Sequence, residues 1–238
     1  MRFRVVGRGR AGGALAIALG RAGWDEAEVR GRGDDLSDAA AGVDLLVLAT
    51  PDPAVAEVAA AIEPVPTTVV AHLAGSLTLE VLAPHERRAS VHPLVALPSA
   101  ELGAERLVDG AWFAVAGDPM AEEVVAALGG RAISVADEQR VVYHAAAVIA
   151  SNHLVALLGQ AQRVAAAAGV PLEAYLDLVR ATVENVAELG PADALTGPIA
   201  RGDEVTVTKH LAALAPEERQ AYEALAQAAR TLRDQRRS

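Results

Sequence analysis

Three glycines near the amino terminus have the spacing of a phosphate-binding turn. The stretch Val5-Val6-Gly7-Arg8-Gly9-Arg10-Ala11-Gly12-Gly13 runs an apolar strand into GxGxxG, and a helical pattern follows from Ala14 to about Gly23. With no Cβ, Gly7 permits a tight turn, Gly9 lets the backbone approach a pyrophosphate, and Gly12 lets the helix pack closely on the strand. The helix N-terminus then offers free N–H groups and a favourable dipole to an anion. The order strand, glycines, helix is what gives this motif its meaning, and it assigns Gly7, Gly9, Arg10, Ala11 and Gly12 to a dinucleotide. The plainer alternative is a glycine-rich turn with no ligand. The acidic residue that takes an adenosine ribose in such sites has no clear counterpart here. Arg30 and Arg32 stand at the exit of the second expected strand and suit a 2′-phosphate, so NADP is expected in preference to NAD. Asp34 and Asp35 follow at once and leave a second reading, in which they neutralise the arginines or take the ribose themselves.

Other polar residues are candidates for the chemistry of a hydride transfer, which needs a proton donor and groups that orient the substrate. His92, just before Pro93, is one donor, since an imidazole titrates near neutral pH. It reads equally well as a histidine that fixes the turn through a backbone hydrogen bond. His72, at a strand end, reads more simply as packed. His144, Val148 and Asn152 are spaced i, i+4, i+8, which puts them on one face of a regular helix. Asn152 is a candidate for orienting substrate, or an amide satisfying a helix contact. In Thr196-Gly-Pro-Ile-Ala-Arg201-Gly-Asp203, Thr196 and Arg201 could bind a substrate carboxylate. The same loop also reads as an Arg201–Asp203 pair capping the next helix. Ser76 is assigned to substrate by its place at a strand end. The remaining charges, including Arg87-Arg88 and the terminal arginines, read as solvated faces. No His, Asp and Glu cluster has metal-ligand spacing, so no metal is expected, and no serine sits in a nucleophile elbow.

These residues fall at the ends of a regular series of elements. Val43–Thr50 is a near-continuous apolar run bounded by Gly42 and Pro51, the pattern of a strand covered on both faces. It ends in Thr50-Pro51-Asp52, which join the expected cofactor residues, and a helix follows over Ala54–Ile62. Thr67–His72, Ser90–Pro93, Ala111–Ala116 and Ala132–Val135 continue the strands, while the second strand is expected near Ala27–Gly33. Strands alternating with helices at this spacing predict an α/β fold with a doubly wound parallel sheet. Ligands of such sheets sit at the carboxyl ends of the strands. After about Asp137 helical periods take over: Glu138–Ala168, Leu172–Leu189, Glu204–Leu214 and a last helix opening at Pro216. The chain therefore divides into residues 1–137, a dinucleotide-binding domain, and 138–238, an all-α dimerisation or substrate domain.

The chain has 238 residues and a formal net charge of −10, which argues against a nucleic-acid backbone as partner. With no cysteine it can form no disulfide and no thiolate site, and it fits a reducing compartment. Two segments imitate membrane signals. The first, Arg2 and Arg4 before Ala14–Leu19, is better explained by the glycine motif. The second, Val141–Gln162, has no formal charge, but His144, Ser151, Asn152, His153, Gln160 and Gln162 interrupt it, so a buried helix of a cytoplasmic protein is expected.

Taken together, GRGRAGG at 7–13, LATPD at 48–52, HLAGS at 72–76, VHPL at 91–94, YHAAAVIASNHLVAL at 143–157 and ALTGPIARGD at 194–203 resemble a family of oxidoreductases. Its members join an N-terminal Rossmann-like domain to a C-terminal helical dimerisation domain of uncharacterised function. They are distant relatives of ketopantoate reductase, pyrroline-5-carboxylate reductase and the β-hydroxyacid dehydrogenases. The resemblance covers essentially the whole chain, and the last two motifs are the specific ones. It implies a homodimeric NADP-linked reductase of a C=O or C=N bond in a small molecule. In the dehydrogenase relatives a lysine four residues before the matching asparagine is the general acid. Val148 stands there in this chain, which leaves His144, His92 or a water for that role. It also leaves room for a sensor or scaffold that holds NADP without turnover.

Overall fold

The computed structural model describes residues 1–7, 9–28, 30–31 and 33–236. Arg32, expected to bind the cofactor, and Arg237 lie outside the described residues.

The strand pattern folds as one seven-stranded sheet in the order β2-β1-β3-β4-β5-β6-β7. Its strands are β1 Arg2–Val6, β2 Asp25–Glu26, β3 Leu45–Leu48, β4 Val69–His72, β5 Arg88–Pro93, β6 Trp112–Gly117 and β7 Arg131–Ser134. Period-two alternation explains the continuous apolar runs. Leu45 and Val47 of β3 join a core with Phe3, Val69, Ala71 and Leu15, while Leu46 and Leu48 join a second core on the opposite face with Val6, Val70, Val55 and Ile62. Helices α1 Arg10–Arg21, α3 Ala100–Leu107 and α4 Met120–Ala127 cover the first face, and α2 Val55–Ala60 covers the second.

Two expectations are corrected here. The second strand was expected near Ala27–Gly33, but β2 is the shorter and earlier Asp25–Glu26. Among the described residues beyond it, Ala27 N donates to Phe3 O at 2.7 Å and Arg30 forms an isolated bridge with Val6. The sheet is also not wholly parallel, because β5 and β6 pair antiparallel. Between them α3 packs on α1 through small residues: a Cβ on Gly13 would lie 2.9 Å from Ala100 Cβ, and one on Gly103 would lie 2.7 Å from Ala14 Cβ. That helix was not legible as a periodic segment, but Ser99 caps it by accepting from Leu102 N at 3.2 Å.

By packing the chain forms two compact units, Met1–Ser151 and Asn152–Ser238. The last strand ends at Ser134, yet the first unit continues because α5 Arg140–Val148 is tied to the sheet. After α5 a π-helical segment, Ile149–His153, leads into α6 Leu154–Ala167.

The second unit comprises α6, α7 Glu173–Leu189, α8 Pro191–Ala194, α9 Gly197–Arg201, α10 Glu204–Ala213 and α11 Pro216–Gln235. Glu218 of α11 is buried and receives Arg163 of α6 at 2.5 and 3.1 Å. Among the described residues the buried hydrophobics of this unit are Ala165, Val207 and Ala226. Val155, Leu178 and Val183 are more than half exposed. The region read as a buried helix is therefore solvent-facing in the single chain. Asp137–Ala167 is long and apolar enough to cross a membrane by length and composition.

Candidate functional site

The glycine loop lies at the carboxyl end of β1, where the chain crosses from one half of the sheet to the other. β2 follows on one side of β1 and β3 on the other. In open α/β sheets this switch point is where a crevice opens. Gly7 has φ +115°, and a Cβ there would meet Ala49 O at 2.6 Å, so the turn requires glycine. A Cβ on Gly12 would lie 2.3 Å from Gly7 O, which fixes α1 against the loop. A Cβ on Gly9 would have no heavy atom within 4 Å: its backbone faces open space. That space is a cleft of about 1050 Å³ lined by Gly7, Gly9, Arg10, Ala11, Gly31, Thr50 and Pro51, among others. Thr50 Oγ1 is buried and has no protein partner, a hydroxyl left for a ligand. Gly12 is buried behind the loop, and Asp52, exposed at the start of a short 3-10 turn, is not among the lining residues.

Arg30 lies beside this loop. Its carbonyl accepts from Gly7 N at 2.9 Å and its N–H donates to Val5 O at 3.1 Å. Its guanidinium is engaged by Asp38 in a short ion pair and by Asp35 O at 2.9 Å. The neutralising acid is therefore Asp38. Asp34 and Asp35 instead accept from Gly31 N and Ser37 N.

A second cluster forms where the ends of β4 and β5 meet α5. His92 Nδ1 is 2.7 Å from Tyr143 Oη, and its ring meets those of Tyr143 and His144 edge-on, with centroids 5.5 and 5.8 Å apart. Gly75 makes room for them, since a Cβ there would lie 2.4 Å from His144 Cδ2 and 2.9 Å from His92 Nε2. Behind them Arg140 is fully buried and donates to Ala74 O at 3.0 Å and, at shorter range, to Ser90 Oγ. Its Nε and Nη1 have no partner. His72 is fully buried, and neither ring nitrogen has a hydrogen-bond partner.

This environment changes the protonation expected for His92. Burial comes first, then electrostatic repulsion of a protonated ring by His144, Arg140 and His72, and together they push it down to about 4. Burial and Arg140 likewise push His72 down to about 4. Both rings are neutral at pH 7, so His92 is not the imidazolium acid its residue type suggested. Its partner is also a side chain, Tyr143, where the alternative reading invoked a backbone group. Burial raises the Tyr143 phenol, so it stays protonated. Ser76, in the loop after β4, is half-buried.

In the second unit, Asn152 is exposed within the π-helical segment. The shared face of His144, Val148 and Asn152 presumed an unbroken α-helix; the wider turn after Val148 breaks that alignment. Thr196 and Arg201 are exposed at the two ends of α9. Asp203 caps α10, as anticipated, by accepting from Thr206 N at 3.0 Å and Thr206 Oγ1 at 2.7 Å. Arg87 is not simply solvated: it holds Asp118 with two bonds of 2.9 and 3.1 Å. Arg88 and Arg236 likewise pair, with Glu80 and Asp193. Tyr143, Arg140 and Gly75 escaped the sequence reading. Arg140, Tyr143 and His144 do share the i, i+3, i+4 signature of one helix face.

The sheet, its switch-point cleft and the helical region after it define the Rossmann-like α/β class. Residues 112–229 match the domain of unknown function DUF2520. No curated protein matches the chain. Among solved structures it is similar to the "putative NADP oxidoreductase" of Bacteroides fragilis, with 23% identity, TM-score 0.80, and coverage of 97% of this chain and 98% of that one. It is similar to a reductive aminase from Aspergillus terreus in complex with NADPH and ethyl-5-oxohexanoate, at 16% identity and TM-score 0.72, covering 96% and 93%. A third likeness is to the pyrroline carboxylate reductase of Plasmodium falciparum with NADP bound, at 13% identity and TM-score 0.61, covering 98% of both chains. These likenesses establish a shared fold.

Proposed function

We propose that the protein is an NADP-dependent oxidoreductase that reduces a small carbonyl substrate of keto-acid type. The observation that carries this reading is the glycine loop, which opens its backbone onto a cleft at the sheet's switch point. Gly7, Gly9, Arg10 and Ala11 would hold the pyrophosphate on the turn against which Gly12 packs α1, with Thr50, Pro51 and Asp52 along the next strand end and Arg30 near the 2′-phosphate. When bound, the nicotinamide supplies the hydride. From β1 the sheet runs through β3 and β4 to β5, so a ligand anchored at the loop must extend along the strand ends to approach His92.

In this reading His92 is the proton donor in its neutral form. Tyr143 Oη–H donates to Nδ1, and Nε2–H gives its proton to the nascent alkoxide as Nδ1 takes the phenolic proton. The buried charge of Arg140 counters the effect of burial on the phenol. His144 orients the substrate, and Ser76 binds its polar groups. Residues 138–238 form the helical dimerisation or substrate domain of a cytoplasmic homodimer.

A second reading, reduction of a C=N bond, is supported by the activities named for the Aspergillus and Plasmodium proteins of the same fold. A sensor that holds NADP without turnover is the remaining rival, because no lysine stands at Val148. Titration of the purified protein with NADPH and NADH, followed by nicotinamide fluorescence, tests the cofactor. Tight, selective binding of NADPH is expected, and binding of neither would overturn the assignment. A panel of keto acids and cyclic imines then separates the two chemistries, and the absence of turnover across both would favour the sensor. On the active substrate, Tyr143→Phe is expected to lower kcat about a hundredfold with NADPH affinity unchanged.

A further inference from the structure

Arg30 stands beside the glycine loop and already holds a carboxylate. Its backbone is fixed to the glycine loop through Gly7 N and Val5 O, and the next residue, Gly31, lines the cleft. Its side chain is only 15% exposed and points to Asp38, whose own side chain is 65% exposed.

The segment that carries Asp38 is not free to move away. Buried Arg4 donates to Ala39 O and Ala41 O from beneath. Thr68 Oγ1 donates to Ala40 O at 2.8 Å, and Glu63 N to Ser37 O at 2.8 Å. Ala39 and Ala40 are fully buried. The backbone on both sides of Asp38 is thus anchored, and its carboxylate is held over the Arg30 guanidinium by the fold as well as by the ion pair.

We propose that Asp38 is a specificity-determining residue that competes with the cofactor 2′-phosphate for Arg30 and so narrows the preference for NADPH over NADH. This inference rests on the cofactor reading above. A 2′-phosphate brings close to two negative charges and needs the guanidinium as a donor. To gain it, the phosphate must displace the carboxylate and tolerate its charge nearby. The 2′-hydroxyl of NADH asks for no such displacement and can itself donate to Asp38.

The test is a double-mutant cycle on the full chain: wild type, Asp38→Asn, Arg30→Ala and the double variant, each titrated with NADPH and with NADH. Asp38→Asn keeps the side chain's size and removes its charge. It is expected to tighten NADPH about three- to fivefold, the scale of an exposed ion pair, and to leave NADH unchanged or weaker. In the Arg30→Ala background the same change should gain less than about twofold, because only like-charge repulsion remains to be relieved. Unchanged selectivity in Asp38→Asn, or an equal gain in both backgrounds, would overturn the inference while leaving the cofactor reading intact. Binding of neither dinucleotide to any of the four proteins would overturn both. Melting temperatures matched to wild type establish that each variant is folded, with Asp38→Ala as the substitute if the asparagine is not.

Discussion

His72 and His92 differ from ordinary histidines because burial and nearby positive charge outweigh whatever favours their protonation. His72 is fully buried with no hydrogen-bond partner at either ring nitrogen, and His92 is hemmed in by Tyr143, His144 and Gly75. Both are pushed down to about 4 from the ordinary 6.5. The consequence for stability has a definite sign. Above pH 6.5 each histidine is neutral in folded and unfolded chains and stability is unaffected. Between about 6.5 and 4 the unfolded chain takes up protons that the folded one refuses, so stability falls as pH falls, and below about 4 the loss levels off. For His72 the slope approaches about 1.4 kcal/mol per pH unit, and His92 acts in the same direction. Urea unfolding from pH 7.5 to 4 should show this decline, and His72→Gln should flatten it. An unchanged slope in that variant would mean that His72 is not held neutral.

At the scale of elements, α5 carries the chemistry because of how it is moored. Asp137, in the turn before it, accepts from Leu79 N at 3.1 Å, Arg140 binds Ala74 O and Ser90 Oγ, and Tyr143 reaches His92. Two helical turns thus bridge the ends of β4 and β5. A buried guanidinium with two unpartnered nitrogens is an expensive mooring, and its charge is one reason the neighbouring imidazoles stay neutral. Arg140→Met is expected to raise the His92 pKa from about 4 while leaving it below 6.5, since burial is the larger cause. Histidine ring proton shifts followed by NMR through a pH titration would measure this. A His92 titration that does not move would remove Arg140 from the account. The π-helical segment after α5 matters at the same scale, because it interrupts the regular helix on which the spacing of His144, Val148 and Asn152 relied.

For the whole molecule, the helices from α5 onward leave large apolar side chains in water. Among the described residues Val141, Val142 and Ile149 of the first unit and Val155 and Leu178 of the second are at least 60% exposed, an apolar surface open to solvent. The proposed homodimer would cover it. Sedimentation of the wild type should give twice the 24.5 kDa chain mass. Val142→Glu with Val155→Glu should yield the monomer, because each glutamate would have to be buried without a partner. A wild-type chain that sediments as a monomer at micromolar concentration would sink the dimer.

The sequence alone determined the order of most strands and of the long helices after them, because that order depends on local signals. Period-two apolar runs mark strands buried on both faces, and glycines at 7 and 12 sit where a Cβ would collide, while Gly9 leaves the backbone open to the cleft. Prolines and glycines at 169–171, 190–191 and 216 break the helices where the periodicity stops. Asp203 as a cap was legible for the same reason, since its hydrogen bonds reach only three residues along the chain. What the sequence could not carry were contacts between distant segments. The antiparallel β5–β6 pair, the Tyr143–His92 bond across 51 residues, the Asp38 carboxylate on Arg30 and the burial that keeps His72 and His92 neutral all arise from packing. Residue type announces that a histidine can titrate near neutral pH. Only the tertiary structure, by removing water and placing cations beside the ring, decided that these two do not.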